Sequence, residues 1–183
     1  MAEKLAVFIP GIGYNTDRPL LYYSRKLTGQ LGYTPVCIKY HDMPKKVRGD
    51  AGMLEKALKI GLKQAKEQLS DIDFSEYEDV LFVGKSIGTV IAALLAEKVS
   101  APSRLILYTP VEATFEPRLG DAIAFIGEAD PWSDLNKVKT LAGEQHVPLY
   151  TYPGCNHSLE CGDVIKDVDT LRAVMKLTEK FIS

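Results

Sequence analysis

The chain has 183 residues, 46% of them hydrophobic and 25% charged, and 22 basic against 24 acidic side chains give a formal net charge of −2. That length fits one domain with a sizeable core, and with neither sign gathered into a long block the composition excludes a disordered chain and a nucleic-acid footprint. No apolar stretch approaches the ~18 residues of a membrane span. The Met1-Ala2-Glu3-Lys4 start lacks the regions of a secretory signal, and Cys37, Cys155 and Cys161 have no paired metal-ligand spacing, so a soluble, cytoplasmic protein with reduced thiols is expected.

Six short β-type runs follow in chain order: Leu5–Ile9, Pro35–Tyr40, Val80–Val83, Arg104–Tyr108, Ala122–Ile126 and Leu149–Tyr152. Most are apolar almost throughout, the character of strands covered on both faces, as in a parallel sheet. Between the second and third, Leu54, Leu58, Leu62, Ala65 and Leu69 recur at helical spacing, and after the sixth Val164, Val168, Leu171, Met175 and Ile182 do the same. Both stripes read as packing faces without chemistry. The alternation predicts an α/β fold: a doubly wound, mostly parallel six-stranded sheet with helices on both faces, in a single domain spanning 1–183. The stretch Thr109 to Asp121, broken by Pro110, Pro117 and Gly120, has no clear helix and is expected to loop over a site.

Functional groups in such sheets gather at the carboxyl ends of strands. The first strand is followed by Pro10-Gly11-Ile12-Gly13-Tyr14, a turn whose glycines let backbone N–H groups approach a ligand. The third runs into Gly84-Lys85-Ser86-Ile87-Gly88 and then helix-like sequence. A serine at such a strand-to-helix corner projects its hydroxyl clear of the sheet, which makes Ser86 a candidate nucleophile. A helix starting there leaves the Ile87 N–H without an intrahelical partner and in a positive field, suited to an oxyanion. The plainer reading of Ser86 is a helix N-cap. A P-loop is ruled out, because the glycine it needs ahead of Gly84-Lys85-Ser86 is replaced by Asp79. Lys85, at the variable position of the motif, reads first as a solvated surface lysine, with substrate-charge recognition or elbow packing as the alternatives.

After the fifth strand comes Gly127-Glu128-Ala129-Asp130-Pro131-Trp132, and after the sixth Pro153-Gly154-Cys155-Asn156-His157-Ser158-Leu159-Glu160. A serine hydroxyl needs a base, which imidazole supplies near neutrality, and the imidazole needs a carboxylate to hold its tautomer and stabilise its charge. His157 and Asp130 are the candidates. Of the other histidines, His41 reads as part of a polar turn and His146 as a helix-end residue. Tyr14, Thr109 and Trp132 lie on edge loops and are candidates to line a substrate pocket. Cys155, without an elbow or helix-start position, is not a candidate nucleophile.

Taken together, the Pro-Gly turn, Gly84-Lys85-Ser86-Ile87-Gly88, Gly-x-x-Asp at 127 to 130 and Asn156-His157-Ser158-Leu159-Glu160 make the chain resemble a small α/β-hydrolase over nearly its whole length. Two departures stand out: the family's usual first two strands are absent, and Pro10-Gly11 replaces the commoner His-Gly. The resemblance places a second oxyanion donor at Ile12, with Gly13 as substitute, keeps Glu112 in reserve as the acid, and leaves no room for a large cap domain, so an open site is expected. It implies a serine hydrolase that cleaves small ester or thioester substrates through an acyl-enzyme, without metal or organic cofactor. A non-catalytic ligand- or protein-binding module on the same scaffold and an acyltransferase are the alternatives. Oligomeric state is left open.

Overall fold

In the computed structural model, which describes residues 3–45 and 47–183, the apolar runs pair into one six-stranded sheet of order β2-β1-β3-β4-β5-β6. The strands β1 (Glu3–Ile9), β2 (Tyr33–Cys37), β3 (Tyr77–Lys85), β4 (Ser103–Tyr108), β5 (Asp121–Gly127) and β6 (Leu149–Tyr152) are all parallel. Four helices lie between strands, α1 (Pro19–Gln30), α2 (Ala51–Gln68), α3 (Ile87–Ala96) and α4 (Leu135–Glu144), and α5 (Val164–Ile182) follows β6. Among the described residues no helix is long and apolar enough to cross a membrane.

Successive strand side chains point to opposite faces, and both faces are covered. Leu5, Val7 and Ile9 of β1 enter a core with Ala65, Ile91 and Val138 from α2, α3 and α4. Ala6 and Phe8 enter a second core with Leu20 and Leu21 of α1 and Val174 and Ile182 of α5. Each fully buried side chain of this kind contributes about 1.5–3 kcal/mol, which is why the strands read as continuous apolar runs. The chain winds outward from β1 in both directions, to β2 on one side and to β3 on the other. The carboxyl ends of β1 and β3 therefore flank the switch point, where open α/β sheets form their binding crevice.

Three elements depart from the sequence-based expectation. The second strand ends at Cys37 rather than Tyr40, and Pro35 sits within it opposite Ala6; β2 is an edge strand, where a residue without an N–H is tolerated. The first two turns of α5 leave Val164 73% and Val168 57% exposed, because the helix packs through Val174, Thr178 and Ile182. The stretch after Thr109 is not an open loop but is folded onto the core. It contains a short 3-10 turn, Glu112–Phe115, and buries Phe115 and Leu119 in the first core. Gln145 fastens it to the end of α4, donating from Nε2 to the carbonyls of Phe115 and Pro117 at 2.6 and 2.9 Å and accepting from the Leu119 N–H at 2.9 Å.

At the far end of the sheet, Arg104 gathers the C-terminal helix onto the strands. Its guanidinium donates to Asp79 Oδ2 at 2.6 Å and to the carbonyls of Phe181 and Ile182 at 2.7 and 3.1 Å.

Candidate active site

Ser86 lies between β3 and α3 with φ 57° and ψ −124°, a conformation L-residues rarely adopt. Such a residue costs on the order of 1–3 kcal/mol and persists only where its surroundings impose it. Here the Ser86 N–H donates to the Tyr108 carbonyl at 3.0 Å, while its own carbonyl accepts from the Thr89 N–H at 2.8 Å and from Thr89 Oγ1 at 2.6 Å. Because the Thr89 proton is committed to that carbonyl, Thr114 donates to Thr89 across 2.6 Å, tying the 3-10 turn to the elbow. Gly88 completes the corner. A Cβ there would collide with the Ile9 carbonyl oxygen and lie 2.7 Å from that of Pro10, so α3 crosses the end of β1 only because the side chain is missing.

The loop after β6 brings His157 to this corner. Its Nε2 is 2.8 Å from Ser86 Oγ and its Nδ1 is 2.7 Å from Asp130 Oδ2. The other Asp130 oxygen accepts from the Trp132 N–H at 2.9 Å, which fixes the carboxylate. The Asp130 side chain is only 1% exposed and that of His157 17%. Trp132 stacks on the imidazole, with ring centroids 5.3 Å apart and planes inclined at 24°. Burial pushes the His157 pKa below its ordinary 6.5, the Asp130 hydrogen bond opposes this, and the charge of Lys85 adds to the lowering. At neutral pH the ring is therefore uncharged, and the network assigns its proton to Nδ1, donating to Asp130, with Nε2 accepting from the Ser86 hydroxyl.

Solved structures share this architecture. The Butyrivibrio proteoclasticus protein Est1E aligns with a TM-score of 0.68 at 13% identity, over 99% of this chain and 89% of its own. An alpha-beta serine hydrolase homologue from Coxiella burnetii aligns at 0.59 and 16% identity, over 100% and 86%. An esterase from Pyrococcus furiosus aligns at 0.64 and 13%, over 96% and 82%. The fold is that of the α/β-hydrolases. No protein-family model and no curated protein matches the sequence.

Within this α/β-hydrolase fold, the turn after β1 abuts the elbow: a Cβ on Gly11 would lie 3.1 Å from Ser86 Cβ. The turn is closed by Gly11 N–H to Tyr14 carbonyl at 3.2 Å and Tyr14 N–H to Gly11 carbonyl at 3.3 Å. Those bonds occupy the outer donors and leave the N–H groups of Ile12 and Gly13 as the turn's other donors. The Tyr14 ring is buried, and its hydroxyl accepts from the Leu20 N–H at 3.1 Å. Burial pushes that phenol up to about 12. Thr109 is fully buried at φ 47°, and its hydroxyl has no partner among the described residues.

The connection between β2 and α2 packs against residues that flank the elbow. Val47, Ala57 and Ile87 form a small core with Ile12, Met43, Met53, Leu54 and Trp132 packed against it. The signal was two apolar residues, Met43 and Val47, standing in an otherwise polar and charged stretch. A cleft of about 530 Å3 borders the Pro10–Asn15 turn on this side, with Tyr40 and Met43 in its lining, without reaching Ser86 or His157. Of the remaining candidates, Glu112 accepts from the Asp134 N–H at 2.9 Å, and Asp134 in turn caps α4. The backbone of His41 is bonded to Gln64, His146 is exposed beyond α4, and Cys155 is buried. None of these joins the Ser86–His157–Asp130 chain.

Lys85 is not a surface lysine. It is 1% exposed, and its Nζ lies 4.9 Å from the centroid of the Tyr14 ring. The expectation failed because strand parity points Lys85 to the same side as Leu81 and Val83, into the layer that holds Tyr14, Leu20 and Leu159. Desolvation lowers its pKa from 10.5 to about 7, against the opposing pull of Asp130 and Glu160. Between those two values the unfolded chain holds a proton that the folded chain has released, so folding stability from this group rises with pH. The stability gap between Lys85→Met and the wild type is accordingly expected to close from about pH 7 upward, by roughly 1.4 kcal/mol per pH unit. Urea titrations of both proteins at several pH values measure it, and a gap that does not change with pH refutes the lowered pKa.

Proposed function

We propose that the protein is a serine hydrolase that cleaves small ester or thioester substrates by acyl transfer. The observation that carries this reading is the unbroken hydrogen-bonded chain from Ser86 Oγ through His157 to a buried Asp130, at 2.8 and 2.7 Å. Ser86 Oγ attacks the substrate carbonyl carbon while His157 Nε2 takes its proton, and Asp130 stabilises the imidazolium that results. The tetrahedral oxyanion accepts from the N–H groups of Ile87 and Ile12, with Gly13 the substitute for the latter. Donors of this kind contribute on the order of 3 kcal/mol each. Collapse expels the alcohol or thiol with the proton from His157, and water, deprotonated by the same imidazole, releases the acid from Ser86. Trp132, stacked on His157, borders the acyl group, whereas the side chains of Tyr14 and Thr109, expected from sequence to line the pocket, are buried and do not line it. The free thiols of Cys37, Cys155 and Cys161 fit a reducing compartment and support a cytoplasmic location.

A fluorophosphonate probe tests the reading, because it phosphonylates only an activated serine. Incubation with the native protein is expected to give one adduct, located on Ser86 by peptide mass spectrometry, and heat-unfolded protein is expected to give none. A folded protein that stays unlabelled would falsify the proposal.

A further inference from the structure

We propose that the cleft beside the Gly11–Tyr14 turn holds the acyl chain of the substrate, and that Arg18 and Lys39 in its lining select a chain with an anionic end, a carboxylate in the simplest case. The inference rests on the serine hydrolase reading and narrows its substrate class.

The cleft encloses about 530 Å3, within the ~300–1,000 Å3 range of small-molecule sites. It does not reach Ser86, but the turn at its edge does. Gly11 and Ile12 both line the cleft; a Cβ on Gly11 would lie 3.1 Å from Ser86 Cβ, and the Ile12 N–H is the proposed oxyanion donor. An acyl group whose carbonyl oxygen accepts from that N–H therefore has the cleft directly beyond the turn. The apolar part of the lining includes Ile12, Ile38 and Met43, and two of these, Ile12 and Met43, pack with Trp132 against the small core around Ile87. A methylene chain leaving the elbow past Trp132 thus meets apolar side chains first.

The rest of the lining is polar, and its uncompensated charge is positive. Arg18 and Lys39 are exposed, and neither enters an ion pair among the described residues. The Lys39 backbone is clamped, its N–H donating to Gln68 Oε1 at 3.0 Å and its carbonyl accepting from Gln68 Nε2 at 2.9 Å, so the segment that carries the ammonium is fixed. Arg18 is the N-cap of α1, a helix with no acidic side chain in its first turn and no side-chain cap. Its positive end adds to the field of the two cations. Asp17 is the one acidic residue in the lining among the described residues, and it is bound to Arg25 at 3.1 Å. A carboxylate in the cleft is attracted by all of these groups, whereas a methyl end gains nothing from them.

The test compares two esters of equal chain length, mono-p-nitrophenyl adipate and p-nitrophenyl hexanoate, which differ only in a terminal carboxylate in place of a methyl group. The wild type is expected to favour the adipate in kcat/KM by about fivefold or more at low salt, chiefly through KM. Added salt should shrink that ratio, and the double variant Arg18→Gln, Lys39→Gln should bring it to about one. A wild type that treats the two esters alike or favours the hexanoate overturns the proposal, as does a ratio that survives the double substitution. A second readout needs no turnover: monomethyl adipate is titrated against folded Ser86→Ala while NMR follows the amide signals of Ile12 and Gly13. Saturable shifts, abolished when Arg18→Gln and Lys39→Gln are added, are expected; their absence, or equal shifts with methyl hexanoate, overturns the proposal. Labelling of Ser86 by the fluorophosphonate decides the hydrolase reading, and the choice between the two acyl chains decides this one.

Discussion

Replacing Ser86 with alanine is expected to lower kcat/KM for a short activated ester by about 10^4- to 10^6-fold, the range typical of removing a nucleophile from an acyl-transfer site. Structure should survive the change. The hydroxyl makes one hydrogen bond, donating to Nε2 of the His157 ring, and the elbow's own bonds run through the Ser86 backbone rather than its side chain. Alanine meets the same backbone strain at φ 57° as serine does, so the thermal midpoint is expected within a few degrees of the wild type. Kinetics with a p-nitrophenyl ester, beside circular dichroism and thermal melting, separate the two effects. Activity within about tenfold of the wild type in a folded Ser86→Ala protein would place the nucleophile elsewhere.

The second large effect is on folding. In Gly88→Ala the new Cβ would meet the carbonyl oxygens of Ile9 and Pro10, both main-chain atoms of the β1 end and its turn. Neither can yield cheaply, because Ile9 is held in register opposite Gly84 on β3, and Gly84 itself would place a Cβ 2.5 Å from the Gly88 carbonyl oxygen. The strand, elbow and helix are interlocked at backbone distance. A loss above about 4 kcal/mol is expected, against a total stability of roughly 5–15 kcal/mol for a domain. Urea denaturation should show a midpoint lowered by more than about 1 M. Gly143→Ala is the control: a Cβ there has nothing within 4 Å, on helix α4, and should be neutral or slightly stabilising. Equal stability of the two variants would contradict the interlock.

Much of this arrangement was legible from local pattern. A strand covered on both faces reads as a continuous apolar run wherever it sits in the sheet, so Val80–Val83 and Arg104–Tyr108 announced themselves without knowledge of their neighbours. The elbow is also local, since Gly84, Ser86 and Gly88 must satisfy one turn. The order of Ser86, Asp130 and His157 followed from asking what stands at each strand's carboxyl end. Their meeting is a tertiary fact, because Ser86 and His157 are 71 residues apart and reach 2.8 Å only when the crossovers close the sheet.

The amino-acid sequence by itself determined the strands, the elbow and the succession of site side chains, because those depend on periodicity and on backbone conformations that few residues tolerate. Only the tertiary structure decided which surfaces are wet. Lys85 projects from a strand end that sequence places near solvent, but it is buried with its ammonium against the Tyr14 ring. Val164 and Val168 share the apolar spacing of α5, yet its first turns leave them exposed. Phe115 and Leu119 lie in a stretch that read as a loop and instead join the core, while Met43 and Val47, two apolar residues in a polar and charged segment, join the small core around Ile87. Parity fixes the direction of a side chain; whether water or another layer waits there depends on helices supplied by distant parts of the chain.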